Sequence, residues 1–169
     1  MKGLDERWSS YPETVLYFGD PEVMVDLRVE VSPAIRGGLE ALGLNQFAVL
    51  TAFNPRGVDI GEEENNRRMK ELEGELSSSG NSFVRVDACS PDRSHCECSV
   101  ALSTDFDRAI DIAKRWEQVA IFWYDGSVFW IYGAIESIEP IKLPVGRQSP
   151  DTGRQSPDTG RQSPDTGRR

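Results

Sequence analysis

Along the chain, apolar residues recur with a period of two in several short stretches and with a helical period in longer ones. Thr14 to Phe18 reads as a strand, followed by a turn at Gly19-Asp20-Pro21-Glu22. From Val23 to Val31 the odd positions are apolar (Val23, Val25, Leu27, Val29, Val31), the pattern of a half-buried strand. Ser32-Pro33 has the chemistry of a helix start, with Ser at the cap and Pro at the first position, and this short helix ends near Gly43. Phe47 to Asn54 begins as a continuous apolar run, which predicts a central strand.

A longer helix is predicted from about Glu62 to Ser78, with acids in its first turn and Gly80 beyond its end. Its inward stripe is Met69, Leu72 and Leu76. Strands follow at Ser82 to Cys89 and Glu97 to Leu102. Thr104-Asp105-Phe106-Asp107 reads as a capping box that opens a helix with Phe106, Ala109, Ile110, Ala113 and Trp116 on one face. Val119 to Tyr124 is a strongly apolar strand, Asp125-Gly126 a hairpin turn, and Val128 to Ile135 the return. From Phe47 to Tyr124 the order is strand, helix, strand, strand, helix, strand. It predicts an α+β fold: a ferredoxin-like βαββαβ core with an antiparallel sheet, extended by an N-terminal hairpin and a C-terminal strand.

Pro140 and Pro144 mark the exit from this fold, so the reading assigns residues 1–143 to a single domain and 144–169 to a tail. Gly-Arg-Gln-Ser-Pro-Asp-Thr occurs three times between Gly146 and Thr166 and contains no aliphatic or aromatic residue. Such a segment buries too little surface to offset the entropy of ordering, which predicts disorder. The seven-residue period is not a coiled-coil seam, because no position in it is apolar.

Net charge is −9 over 169 residues, and the basic tail leaves the body at −11. That field repels phosphate backbones and argues against nucleic acid as a partner. Arg67, Arg68 and Lys70 are the one basic cluster in the body, and Glu62 to Glu64 and Glu71 surround it. No apolar run approaches the ~18–20 residues needed to span a bilayer. The N-terminal stretch Met1 to Arg7 is charged and without an apolar core, so the expected location is the cytoplasm, away from membranes. Three cysteines, Cys89, Cys96 and Cys98, then argue for reduced thiols, with Cys96 and Cys98 on one face of a strand. Together with His95 they supply four possible zinc ligands, but the spacing does not suit a structural site, and no metal or cofactor is expected.

Polar residues interrupt the apolar stripes at one place. Asn65 and Arg68 continue the stripe of Met69, Leu72 and Leu76 toward the helix N-terminus, where polar groups need partners or serve a ligand. The predicted topology brings Thr51, Asn54, Asn65, Arg68, Glu97, Ser99 and Gln118, from separate segments of the chain, to one end of the sheet. Free N–H groups near Glu62 and the Arg68 fork would suit a carboxylate or phosphate there. Equally, Arg68 would pair with Glu97 in a closed polar network that fixes the fold and binds nothing.

At these residues the chain resembles a bacterial family known as domain of unknown function 3293. The resemblance runs from about Tyr11 to Tyr132. It is carried by Tyr11-x2-Thr14-x2-Tyr17, Thr51-Ala52-x-Asn54-Pro55-x-Gly57, Asn65-x2-Arg68-x3-Leu72, Glu97-x-Ser99 and Gln118-x-Ala120-Ile121. It implies no activity, cofactor or substrate. The chain departs from the family where Ser94-His95-Cys96 stands in place of a Trp, and where Glu117-Gln118-Val119 stands in place of Gly-Gln-Asn.

Three functions from different classes fit these observations. One is a binding or regulatory module that holds a small anionic ligand or a protein partner's carboxylate at the Asn54, Asn65, Arg68, Glu97 and Gln118 end. Another is an enzyme with Glu97 as acid or base and Arg68 as anion clamp. No activated nucleophile, phosphate-cradling Gly loop or metal triad supports it, so the balance leans away from catalysis. The third is a structural interaction protein that uses the aromatic hairpin Phe122, Trp123, Tyr124, Phe129, Trp130 and Tyr132.

Overall fold

The computed structural model describes residues 9–19 and 22–146. The charged N-terminus, part of the first predicted turn and the repeat that predicts a disordered tail lie outside the described residues. Strands β1 (Val15–Phe18) and β2 (Val23–Asp26) form the first hairpin, and helix α1 (Pro33–Ala41) follows. Ser32 caps α1 as expected, its hydroxyl accepting from the Ile35 N–H at 3.2 Å. Strand β3 (Phe47–Leu50), helix α2 (Glu62–Ser78), strands β4 (Phe83–Cys89) and β5 (Cys96–Leu102), helix α3 (Phe106–Arg115) and strands β6 (Ala120–Tyr124), β7 (Phe129–Gly133) and β8 (Ile141–Lys142) complete the order.

These strands form a single sheet in the order β2-β1-β4-β5-β3-β6-β7-β8, with every neighbouring pair antiparallel. The sheet curls into a half-barrel of eight strands, which overturns the expectation of a ferredoxin-like βαββαβ core. The β1–β2 hairpin pairs along β4, from Val15 opposite Cys89 to Phe18 opposite Val86. At the other edge β7 and β8 continue the sheet. Strand twist accumulates over eight strands and coils the sheet, so that its second face becomes a trough.

Both faces therefore carry a core. The concave face gathers Leu16, Phe18, Phe47, Val49, Phe122, Tyr124, Phe129 and Ile131, with Leu39 of α1 and Leu44 packed in the same cluster. On the convex face α2 and α3 bring Met69, Leu72, Leu76, Ala109, Ile112 and Ala113 against Ala48, Leu50, Val100, Leu102 and Trp123. Burying a side chain such as Leu72 or Leu76 contributes about 1.5–3 kcal/mol each. The aromatic hairpin divides between the two cores, with Phe122, Tyr124 and Phe129 inside the trough and Trp123 against Phe106 of α3. It leaves no broad aromatic surface for a partner: Phe122, Trp123, Tyr124 and Phe129 are buried, and Trp130 and Tyr132 are half-buried.

Local differences from the sequence pattern have local causes. The second strand stops at Asp26 because its carboxylate accepts from the Arg28 N–H at 3.0 Å and turns the chain, leaving Val29 exposed. The cap of α3 is Asp105, one residue later than the capping box implied, accepting from the Arg108 N–H at 2.8 Å. Cys89 and Cys96 sit directly opposite each other at the ends of β4 and β5 and form a disulfide. The reduced state expected of all three cysteines holds only for Cys98, and Cys96 and Cys98 are both exposed. Among the described residues, no helix is long and apolar enough to cross a membrane.

Candidate functional site

Past Leu50, β3 leaves the sheet and turns sharply. Asn54 and Arg56 both adopt positive φ (44° and 57°), and Glu117, on the segment alongside, does the same at 56°. Non-glycine residues in this region carry strain of order 1–3 kcal/mol each and persist only where the surroundings enforce it. Here the enforcement is visible. The Arg56 N–H donates to the Glu117 carbonyl at 2.7 Å, and the two side chains pair at 2.6 Å.

Asn65, on the first turn of α2 and 5% exposed, holds Asn54 from both sides. Its Oδ1 accepts from the Asn54 backbone N–H at 2.8 Å, and its Nδ2 donates to Asn54 Oδ1 at 2.8 Å. Asn54 Nδ2 in turn donates to Glu97 Oε1 on β5 at 3.2 Å. One turn further along α2, the Arg68 guanidinium donates to the Ala52 carbonyl through Nε and to the Trp116 carbonyl through Nη2, both at 2.8 Å. It also lies over the Trp116 ring, 5.3 Å from its centroid. Gln118 Nε2 reaches the carbonyls of Phe53 at 3.1 Å and Trp116 at 3.2 Å. Thr51 Oγ1 donates to the Cys98 carbonyl at 2.6 Å and accepts from the Phe53 N–H at 3.1 Å. All seven residues singled out in the sequence thus lie at one end of the sheet, in two sets of bonds: Asn54, Asn65 and Glu97, joined by Ser99 through the Glu97 carbonyl, and Arg68, Gln118 and Thr51, joined through Trp116 and Phe53.

They do not all face the same space. A cavity of about 310 Å³ opens beside this network, on the concave side. Thr51, Asn54, Glu97, Ser99 and Gln118 line it. Asn65 and Arg68 do not, and stand behind the wall as braces. The predicted Arg68–Glu97 pair is absent, because the guanidinium is taken up by backbone carbonyls and Glu97 instead meets Asn54 and, at 3.5 Å, His95 Nε2. The start of α2 offers an anion little, since its first turn carries Glu62, Glu63 and Glu64.

The rest of the wall comes from segments the pattern did not single out. Tyr11, Glu13 and Thr14 enter from the N-terminal 3-10 turn (Tyr11–Glu13) and the residue after it, with the Tyr11 ring edge-on to Phe122 at 5.9 Å. Ser90, Pro91 and His95 come from the β4–β5 loop, which the Cys89–Cys96 disulfide closes at its base. Within that loop, hydrogen bonds from the Ser94 hydroxyl, the Ser94 N–H and the Ser90 hydroxyl hold the Asp92 carboxyl down at about 2, below its ordinary 3.8. Tyr11 and Thr14 already stood in the motif quoted for the family resemblance, which was the available signal. The four zinc candidates cannot act together, since Cys89 and Cys96 bond to each other.

Comparison with protein families gives one match. Residues 50–121 match the family described as Protein of unknown function (DUF3293). The match covers less than half of the chain, and it contains all seven network residues while leaving out Tyr11, Glu13, Thr14 and Phe122 of the cavity wall. No curated protein and no solved structure matches the chain.

Proposed function

We propose that this chain is a binding module whose cavity at the polar end of the half-barrel holds a small ligand. Thr51, Asn54, Glu97, Ser99 and Gln118 make the contacts, and Asn65 and Arg68 hold the wall in place. The observation that supports this most is Gln118. The residue is 6% exposed and lines the cavity, and its Nε2 is committed to two carbonyls, which leaves Oε1 as the acceptor of the side chain. A largely buried polar side chain that keeps an acceptor at a cavity wall is how a preformed site is built. The strained turns at Asn54, Arg56 and Glu117 support the same reading, since such strain concentrates at ligand sites.

A thermal-shift screen of the full chain against small cations, neutral polyols and amides, and carboxylates and phosphates tests it. A ligand that raises the melting temperature of the wild type and loses its effect in Gln118→Leu supports the proposal. A screen in which no compound shifts the wild type, or in which every shift survives in Gln118→Leu, overturns it.

A further inference from the structure

We infer that the cavity takes a donor-rich, positively charged ligand, namely a short organic amine, in place of the anion first expected. This rests on the binding reading above and names the ligand class for the same site.

Most of the hydrogen-bonding capacity left on the network side of the wall is acceptor capacity. Gln118 uses both amide hydrogens on the carbonyls of Phe53 and Trp116, so its remaining valence is an acceptor, Oε1. Glu97 uses Oε1 toward Asn54 and His95, leaving Oε2, another acceptor. Ser99, 4% exposed, directs its hydroxyl proton to the Glu97 carbonyl at 3.4 Å and keeps its oxygen lone pairs. Thr51 gives its hydroxyl proton to Cys98. Against these, Asn54 retains one amide hydrogen. Acceptors therefore outnumber donors on the network side of the wall, and a ligand that satisfies them has to bring N–H or O–H groups.

Charge points the same way. Two carboxylates, Glu13 and Glu97, line the cavity, and among the described residues the single ionisable base on its wall is His95, which already faces Glu97. The one guanidinium of the network, Arg68, is held by carbonyls behind the wall. A body at −11 deepens the negative potential. An ammonium beside Glu97 Oε2 gains a charge-assisted hydrogen bond in a partly desolvated setting, where a carboxylate meets like charge. Tyr11, Phe53 and Phe122 supply apolar walls for a short alkyl chain.

The test compares four-carbon probes of matched length: butane-1,4-diamine, butane-1,4-diol and succinate. Each is titrated into the isotope-labelled full chain at physiological salt, followed by amide NMR shifts and calorimetry. The expected result is saturable binding of the diamine, with shifts centred on Ser99, Gln118 and the 51–54 segment. The dissociation constant should rise at least tenfold in Glu97→Gln and stay unchanged in Glu71→Gln, a surface control remote from the cavity wall. Binding of the diol or succinate at those resonances with equal or greater affinity overturns the cation class while the site itself stands. Diamine shifts that are spread over the acidic surface, or that survive Glu97→Gln, overturn it as well. Absence of binding by every probe, joined to a negative thermal-shift screen, removes the class and the site together.

Discussion

Asn54 and Asn65 hold each other through two hydrogen bonds of 2.8 Å, one to a backbone N–H and one between amide side chains. That clasp fastens the strained turn after β3 to the first turn of α2. It also explains why an asparagine occupies a position on the helix stripe where an apolar residue would otherwise pack.

Removing the clasp should be costly. In Asn65→Ala the Asn54 N–H and Oδ1 lose their partners in a partly buried place, and left unsatisfied they cost up to about 1–3 kcal/mol each. The expected loss is about 3 kcal/mol by urea denaturation of the full chain, with Asn65→Asp intermediate because a carboxylate still accepts the N–H. A loss below about 0.5 kcal/mol would show that the turn holds itself.

Arg68 gives a second, separable prediction. Its bonds run to the carbonyls of Ala52 and Trp116, so Arg68→Met should destabilise by about 2–3 kcal/mol, the range for hydrogen bonds from a charged group whose acceptors are then stranded. Adding Glu97→Gln should rescue none of that loss. Recovery in the double variant would mean that Arg68 and Glu97 interact after all.

How much of this was legible in the sequence depends on what kind of partner each residue has. Helix α2 was readable end to end, because Glu62 to Glu64, the Met69-Leu72-Leu76 stripe and Gly80 each act locally. The half-barrel was not. Alternation in β1 shows which residues share a face but not that the strand pairs with β4, and that pairing turns an open face into a trough. The same limit hid Tyr11, Glu13 and Thr14, which reach the cavity only because β1 lies beside β4. Asn65 and Arg68 stood out as polar residues on an apolar helix stripe. The partners of Arg68 did not, since a backbone carbonyl has no sequence signature.

The hydroxyl of Tyr124 is buried and has no hydrogen-bond partner among the described residues, and its ring packs on Phe47 and Phe129 at 5.3 and 4.7 Å. Tyr124→Phe keeps the ring and removes the stranded group. Stability should stay level or rise by about 1 kcal/mol, measured by chemical denaturation. A clear loss would place a bound water or another partner at that oxygen.

Breaking the Cys89–Cys96 bond in a Cys89→Ser/Cys96→Ser variant should cost about 2 kcal/mol, near the chain-entropy value for so short a loop. Amide exchange should quicken in the loop Ser90 to His95 and leave α2 unaffected. Equal protection throughout would show that the hydrogen bonds of Ser90 and Asp92 suffice to order it.

That loop also has an acid response. Asp92 is held at about 2 by the Ser94 and Ser90 hydrogen bonds, against 3.8 in an unstructured chain. Because the folded value is the lower one, the contribution is fully present above about pH 4. It fades as pH falls through 2. An NMR titration of the Asp92 carboxyl should give a midpoint near 2, together with loosening of the Ser94 amide over the same interval. A midpoint near 3.8 would contradict the loop geometry.

The curvature of the sheet sets a depth gauge for whatever enters from the polar end. Below Val49 and Phe122 the next residues along the same face of β3 and β6 are Phe47 and Tyr124, and with Phe18 and Phe129 they plug the trough by edge-on and tilted ring packing. A guest gains contact with each added methylene until it meets those rings. Beyond that point each further carbon has to turn back toward the mouth, so affinity along a homologous series should climb and then stop at a length the rings define.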